Sequence, residues 1–255
     1  MACSWTGLLA IFLSAAALVL ATVGLAMPFW SSTVDSTRLA SASAYKNVQF
    51  TTGVWGFCVN ADLNISSDHV QLDQCFSFYR ATDLSEAIKV NGSMTSNPYY
   101  TLGITAGVCS TYQDANSSAF NLGAKYAGLG NAPFKEFMDK SCGAIGKASL
   151  AFATLAMGFG LLSVTTLVFF VTCCGARSCY MTLAKTFTLL ACVSSLIAFC
   201  CWTGQVHSLG GAIGYGASFG LEIASFVLSF VALLAIIYHQ AYARKNQPFE
   251  TNVKV

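Results

Sequence analysis

Four cysteines lie in one long polar segment of the chain, and their number points to disulfide chemistry. They are Cys58, Cys75, Cys109 and Cys142, all within residues 29–146. An even number of cysteines on the oxidising side of a membrane predicts disulfide bonds, and four cysteines allow three connectivities. We expect the sequence-local pairing of Cys58 with Cys75, which leaves Cys109 to pair with Cys142.

The same segment carries three acceptor patterns for N-linked glycosylation, at Asn64, Asn91 and Asn116, and the rest of the sequence carries none. Glycans are attached to such asparagines on surface loops of secreted or lumenal chain. One pattern can arise by chance, but three in one segment favour the lumenal or extracellular side for it.

Three further cysteines, Cys173, Cys174 and Cys179, follow a long apolar run over residues 148–170. We expect them on the cytoplasmic side of the membrane, where thiols remain reduced. Juxtamembrane cysteines on the cytoplasmic side are candidates for reversible palmitoylation, and the equal alternative is that they are small apolar packing residues. No histidine or further cysteine accompanies them at ligand spacing, so we expect no metal site. Cys192, Cys200 and Cys201 lie in the third apolar run and are predicted to pack.

Catalytic motifs are missing from the sequence. His69, His207 and His239 are scattered, and no metalloprotease, nucleophile-elbow, P-loop or strand-borne dinucleotide pattern is present. The formal net charge of +2 is too balanced to indicate nucleic-acid binding. We therefore expect neither an enzyme nor a bound cofactor.

The elements that must position the loop cysteines follow from composition. The chain is 55% hydrophobic and 9% charged, and long stretches carry no charged residue. Apolar runs of about 20 residues cross a bilayer, and in lipid they must be helical to pair their backbone groups. Four such runs occur, near Leu8–Met27, Ala148–Phe170, Met181–Trp202 and Tyr215–Tyr238. A lipid bilayer is thus the first predicted partner.

The first run has an alternative, a cleaved signal peptide. Residues 1–7 contain no Lys or Arg, and the run is longer than the usual signal core of about 7–15 residues. We therefore expect a first transmembrane helix rather than a signal peptide.

The whole chain is then predicted to divide into eight segments. They are 1–28 (first transmembrane helix), 29–146 (extracellular disulfide-stapled β-domain), 147–173 (second helix), 174–180 (cytoplasmic link), 181–203 (third helix), 204–214 (short extracellular loop), 215–239 (fourth helix) and 240–255 (cytoplasmic tail).

The basic residues near the short segments predict the orientation. Arg177 and Lys185 flank the second-to-third link, and Arg244, Lys245 and Lys254 lie in the tail. Such residues remain on the cytoplasmic side. The prediction is a multi-pass plasma-membrane protein with both termini in the cytoplasm. Its fold class is membrane all-α: a left-handed four-helix transmembrane bundle with a small extracellular antiparallel β-sheet domain.

The stretch NVQFTTGVWGFCVN, residues 47–60, has a period of two in its apolar residues, which predicts a strand with one buried face. Phe76 and Phe78 repeat the alternation around Cys75, so a second, neighbouring antiparallel strand is expected there. Gly53 and Gly56 bracket Trp55 and indicate a bulge or a close backbone approach. The Trp55 ring is expected to lie on the membrane-proximal end of the bundle.

Trp30, Gly53-Val54-Trp55, Cys58 and Cys75 together resemble the claudin signature of W, GLW, C and C in a first extracellular loop. The resemblance extends to the claudin-like four-transmembrane superfamily, which includes peripheral myelin proteins, calcium-channel gamma subunits and fungal Sur/PalI-type proteins. It implies a role in cell contact, barrier formation or membrane-domain organisation through the extracellular domain.

Departures from the signature leave a second function open. Val54 replaces leucine, sixteen residues separate Cys58 from Cys75, and the loop continues long past Cys75 with two further cysteines. Such a loop is more similar to those of the channel gamma subunits or fungal members. The alternative function is therefore an auxiliary regulatory subunit of an ion channel or receptor, and an unrelated four-helix protein is the remaining alternative.

Other features each have two interpretations. Glu222 is an intramembrane acid with a functional or a structural role, and Gln205 and His207 are its candidate partners. Glycines at 210, 214, 216 and 220 predict close helix packing, within the bundle or between protomers. The terminal Val253 and Val255 are compatible with a ligand for a PDZ-type scaffold, although short tails also end in valine by chance. Residues 131–142 predict a short helix with Asn131 as cap, packing through Phe134, Phe137 and Met138.

Overall fold

The computed structural model of the chain describes residues 5–33, 45–65, 68–80, 88–90, 93–94, 107–112, 124, 129–172 and 178–245. Over these residues, four helices are long and apolar enough to cross a membrane. They are α1 (Trp5–Ala26), α4 (Ala144–Thr172), α5 (Ser178–Val206) and α6 (Ala217–Lys245). The predicted four-helix, multi-pass membrane architecture is confirmed, and the handedness of the bundle stays a prediction.

Side-chain size in these helices is distributed as lipid requires. Many large apolar side chains point outward, with Phe12 69% and Leu161 56% exposed, while alanine and serine occupy many of the buried positions. A water-soluble helix would bury its large apolar side chains, because burial removes apolar surface from water. In a bilayer that gain is missing between helices, and small residues let the backbones approach closely.

The chain divides into two compact units. The helical unit comprises the described residues of Met1–Ala21, Leu155–Leu196 and Ile223–Val255. Its core includes Ala10, Leu167, Met181, Ala184 and Ile236. Polar side chains also link its helices, since the Thr6 hydroxyl lies 2.7 Å from His239 Nδ1 and Lys185 Nζ donates to Gln240 at 3.5 Å.

The sheet unit comprises the described residues of Thr22–Thr154 and Ile197–Glu222. Its described strands are β1 (Ser31–Thr33), β2 (Tyr45–Gly53), β3 (Gly56–Ile65), β4 (Asp68–Ser77), β5 (Ile88–Val90), β6 (Ser93–Met94) and β7 (Ile213–Tyr215). They form one antiparallel sheet in the order β6-β5-β4-β3-β2-β1-β7. The predicted sheet between the first two long helices is therefore confirmed.

One edge of the sheet comes from a distant part of the chain. A 3₁₀ helix, His207–Ala212, leads into β7, which pairs with β1 through Ser31 opposite Tyr215. The sequence predicted a short loop over 204–214 and a fourth helix from Tyr215, whereas α5 ends at Val206 and α6 begins at Ala217. Ile213-Gly214-Tyr215 is too short for its alternation to stand out, and it becomes a strand because β1 offers it an edge to pair with.

One face of the sheet is covered by helix α3 (Asn131–Cys142). Phe134, Phe137 and Met138 are at most 3% exposed and pack in one cluster with Phe50 and Phe57. The core packing predicted for this helix is confirmed. The predicted cap at Asn131 is wrong, because Asn131 is already helical and Gly130 occupies the capping position without a side-chain hydrogen bond.

Candidate functional site: the tryptophan-capped junction and the sheet

The stretch GVWG is the turn of a β-hairpin rather than part of one strand. Gly53 pairs with Gly56 across β2 and β3, and Val54 and Trp55 form the two-residue connection. The single strand predicted over residues 47–60 is therefore wrong. The alternation was misleading because Val54 is buried like its strand neighbours, at 1% exposure, although it lies in the turn.

Both glycines of this hairpin lie against other backbone segments. A Cβ at Gly53 would be 2.9 Å from the Pro28 Cα, and a Cβ at Gly56 would collide with the Phe76 carbonyl oxygen. Real Cβ contacts are not that short. The predicted close backbone approach is confirmed, and it brings the hairpin against the residues that follow α1.

The two motif tryptophans cap the end of α1. Trp30 Nε1 donates to the Gly24 carbonyl at 2.7 Å, and Trp55 Nε1 donates to the Ala26 carbonyl at 3.2 Å. The last four carbonyls of a helix lack intrahelical partners, and at a membrane boundary they need partners from elsewhere. Indole is well suited to this place, with an apolar body and a single N–H donor. The position expected for Trp55 is confirmed, whereas the matching role of Trp30 was not foreseen.

Trp30 is the centre of an aromatic cluster at this junction. Its side chain is fully buried, and its ring lies 5.5 Å from that of Trp202 and 6.3 Å from that of Phe219, both edge-on. Trp202 Nε1 donates in turn to the Ser31 hydroxyl at 3.1 Å. Aromatic pairs at these distances add about 0.5–1.5 kcal/mol each beyond their buried area.

Backbone hydrogen bonds tie the same residue to two other elements. The Trp30 amide donates to the Thr52 carbonyl at 3.0 Å, and the Trp30 carbonyl accepts from the Gly216 amide at 2.9 Å. Ser218, in the first turn of α6, donates its amide to Phe29 at 2.9 Å. The junction therefore joins α1, the sheet and the start of α6 through Trp30 and its neighbours.

Both disulfides have the connectivity that the sequence favoured: Cys58 pairs with Cys75, and Cys109 with Cys142. Cys58 and Cys75 are direct cross-strand neighbours on β3 and β4. Cys109 lies in a short helix, α2 (Val108–Thr111), and its disulfide joins this helix to the end of α3. The second bond therefore connects two segments that no strand pairing holds together.

The face of the sheet opposite α3 is open and polar. Alternation puts Phe50, Thr52 and Phe57 on the buried face, so the Cys58–Cys75 disulfide lies on the other one. We define this open face by Gln49, Thr51, Cys58, Asn60, Asp73 and Cys75, all of which are exposed or half-buried. Asp73, an acidic residue of this face, is exposed. The backbone of Asp62 lies in β3, and the backbone of Asp68 lies in β4.

A cleft of about 300 Å³ lies beside the second disulfide, lined by Tyr79, Ser110, Tyr112 and Lys147 among others. Burial raises the pKa of Tyr79 to about 12, and the Tyr79 hydroxyl donates to the Ser141 carbonyl. The pKa of Tyr112 is also raised, first by burial and then by the charge of Asp139 and a hydrogen bond to it. Both hydroxyls therefore serve as neutral donors to the domain's own acceptors.

Glu222 is fully buried, and its carboxylate lies against α1. Its Oε2 would be 3.7 Å from a Cβ placed on Gly24, and the Ser218 carbonyl would be 3.3 Å from that Cβ. Gln205, one candidate partner of Glu222, instead donates to the Ser141 hydroxyl at 2.7 Å. The glycine that permits close helix approach here is Gly24, while Gly210 and Gly220 of the predicted small-residue set have open space around them.

The remaining predicted sites fall partly outside the described residues. Asn64 lies in β3 with His69 as its cross-strand partner. Cys179 and Cys200 are exposed, Cys201 is half-buried, and Cys192 is buried. The predicted sites outside the described residues are Asn91, Asn116, Cys173, Cys174, Val253 and Val255. Among the described residues, no three His, Cys, Asp or Glu side chains are grouped as metal ligands.

Comparison with known proteins does not assign a family. No protein-family model matches the chain, and a search of curated proteins finds no match.

Proposed function

We propose that this chain is a claudin-like integral membrane protein that acts in cell contact, barrier formation or membrane-domain organisation through its sheet domain. One observation carries the proposal. The motif residues Trp30 and Trp55 cap the first helix, and Cys58 and Cys75 cross-link the strands that follow directly. The motif thus serves one task, which is to hold a covalently braced sheet at the end of a membrane helix.

The sheet domain is extracellular in this proposal, and both termini are cytoplasmic, with the plasma membrane as the location. Two disulfides support an oxidising compartment for the sheet. The acceptor asparagines in the same segment support that side, as do the basic residues of the tail. Substituting Asn64, Asn91 and Asn116 singly and together by glutamine tests the assignment. Stepwise loss of glycosidase-sensitive mass is expected, and an unchanged mass together with cytosolic protease access at the sheet would overturn it.

The open face supplies the contact surface in this proposal. The buried face is occupied by α3, whereas the open face presents polar side chains on strands braced by a disulfide. A rigid polar face suits reversible contact between domains, since little order has to be gained on binding. We expect a second copy on the same or an adjoining cell as its partner.

Expression in cells that lack junctions tests self-association. Enrichment at contacts between two expressing cells is expected, and none at contacts with non-expressing cells. Thr51→Arg, which adds a long, positively charged side chain to the open face, should abolish the enrichment. Lys135→Ala, on the exposed side of α3, is the matched control and should leave it unchanged. Equal enrichment of wild type and Thr51→Arg would exclude the open face as the contact surface.

The alternative function is an auxiliary regulatory subunit of an ion channel or receptor. One observation favours it: the chain after β4 builds α2, α3 and the Cys109–Cys142 disulfide, an addition that the sheet motif itself does not require. Affinity purification in mild detergent discriminates the two functions. A large multispan partner at fixed stoichiometry supports the auxiliary role, and recovery of only the chain itself supports self-association. Binding of the tail to a PDZ-type scaffold and palmitoylation near Cys179 remain separate proposals.

A further inference from the structure

The helical unit contains a small, partly open cavity whose lining includes several hydroxyl-bearing residues. About 10 Å³ is open to the centre of a water molecule, which is the space that one water needs. Its walls are made of small residues, and six of these carry a hydroxyl: Ser14, Ser163, Thr188, Ser195, Ser225 and Ser229. An apolar cavity remains dry, whereas a polar one with two to four partners holds water.

Ser14 has an unusual position among these hydroxyls. Its side chain is 5% exposed, and its Oγ has no hydrogen-bond partner in the protein. A serine or threonine in a helix commonly donates to the carbonyl one turn earlier. Thr165 does so, to the Leu161 carbonyl at 2.8 Å, but Ser14 does not. A buried hydroxyl without a partner destabilises the fold, so the orphaned donor needs an explanation.

The protons of the neighbouring hydroxyls can be counted. Thr188 donates its single proton to the Ala184 carbonyl at 2.8 Å, so Ser163 must be the donor in its 2.6 Å contact with Thr188. Ser225 donates to the Ala17 carbonyl at 2.8 Å. Ser163 and Ser225 have therefore used their protons and offer lone pairs only. Ser14 has a proton to give.

We propose that this cavity binds one water molecule, which accepts a hydrogen bond from Ser14 and donates to Ser163 and Ser225. Three bonds are the usual number for a buried water. The site joins α1, α4 and α6 directly and α5 through the Ser163–Thr188 pair, so one water completes a network over all four helices. Such polar links between helices stabilise bundles in lipid, where the hydrophobic effect does not. This site is independent of the function proposed for the sheet domain.

A structure of the chain in lipid at high resolution tests the site directly. A density peak is expected about 2.7–3.0 Å from the oxygens of Ser14, Ser163 and Ser225. The proposal is overturned if the side chains are well resolved and the cavity has no peak. A peak that persists unchanged in Ser14→Ala also overturns it, as does one that appears only when sodium is present.

Thermal unfolding in lipid or mild detergent gives an independent test with opposite signs. If Ser14 is simply unsatisfied, Ser14→Ala removes a buried orphan and raises the Tm. If Ser14 holds water, the same substitution breaks the network and lowers the Tm by about 2–4 °C. Thr165→Ala, which removes a hydroxyl satisfied within its own helix, is the matched control and should shift the Tm by less than the Ser14 variant. A rise in the Tm of Ser14→Ala would refute the water site.

Discussion

The indole nitrogen of Trp30 donates a 2.7 Å hydrogen bond to the backbone carbonyl of Gly24, six residues earlier in the chain. This bond satisfies a carbonyl in the last turn of α1 and holds the Trp30 ring in the aromatic cluster with Trp202. Trp30 therefore caps the end of a membrane helix and directly precedes the first strand of the sheet. A tryptophan here is explained by the combination of an apolar ring with one N–H group.

Replacing the donor without the ring tests this role. Trp30→Phe retains most of the buried apolar volume but leaves the Gly24 carbonyl unsatisfied, so we expect a loss of about 1–3 kcal/mol of stability. Trp30→Ala should cost about 3–5 kcal/mol, because it also leaves a cavity. Unfolding in detergent, followed by intrinsic fluorescence, measures both. Trp5→Phe is the control, since Trp5 is 80% exposed, and it should have little effect.

The two disulfides should differ in their contribution to the domain. Cys58 and Cys75 are already neighbours in a ladder of paired residues, whereas Cys109 and Cys142 join α2 to α3 across a separation of 33 residues. Loss of a native disulfide typically lowers the free energy of unfolding by about 2–5 kcal/mol. We expect the double substitution of Cys109 and Cys142 by serine to lower it by more than the double substitution of Cys58 and Cys75 does. Protease resistance of the sheet domain reports this difference. Cys200→Ser, an exposed free cysteine, is the control, and equal losses for both pairs would contradict the expectation.

The helices were predictable because they depend on strong local signals. A charge-free run of about 20 residues leaves few alternatives to a membrane helix. The strand around Phe50 was predictable because its buried residues alternate. These features require no knowledge of which segments meet in space.

The rest of the junction depends on long-range contacts that a local pattern does not encode. The hairpin at Val54-Trp55 has the alternation of a strand because Val54, in its turn, is buried in the cluster around Trp30. The β7 strand exists only because β1 has a free edge, and Gln205 was a candidate partner for Glu222 although Ser141, 64 residues away, takes its amide proton. The indole caps of α1 likewise needed coordinates, since Trp55 and Ala26 are 29 residues apart.

Gly216 and Gly220, four residues apart, should respond oppositely to alanine. A Cβ at Gly216 would collide with the Phe29 carbonyl oxygen, whereas one at Gly220 would meet open space. Gly216→Ala should therefore lower stability, while Gly220→Ala, inside α6, should raise it by about 0.5–1 kcal/mol through helix propensity. Comparing the Tm of the two variants decides the matter. If both substitutions are neutral, the close approach of Gly216 to Phe29 is wrong.

Tyr79 should make the sheet domain sensitive to alkaline pH. Its pKa is raised from 10.0 to about 12, so the folded state holds the phenolic proton more tightly than the unfolded state does. The stability from neutral Tyr79 is fully present below pH 10 and is lost as the pH rises through about 12. Tyr79→Phe should weaken this alkaline loss while costing about 1 kcal/mol at neutral pH for the bond to Ser141. Unfolding measured from pH 8 to 11, with phenolate absorbance, shows whether the slopes of the two proteins differ.

Ser141 and Gln205 should be energetically coupled, because the Gln205 amide group and the Ser141 hydroxyl pair with each other where water does not reach. Gln205 is 1% exposed and Ser141 is fully buried, and the amide donates to the hydroxyl at 2.7 Å. Removing one partner leaves the other buried and orphaned, so Ser141→Ala and Gln205→Leu should each destabilise by about 1–3 kcal/mol. The double variant removes both polar groups and should lose less than the sum, with a coupling of about 0.5–3 kcal/mol. Ser141→Ala combined with Trp5→Phe, which is far along the chain and mostly exposed, should be additive. Additive losses for the Ser141 and Gln205 pair would mean that this hydrogen bond does not join α3 to the end of α5 in the folded protein.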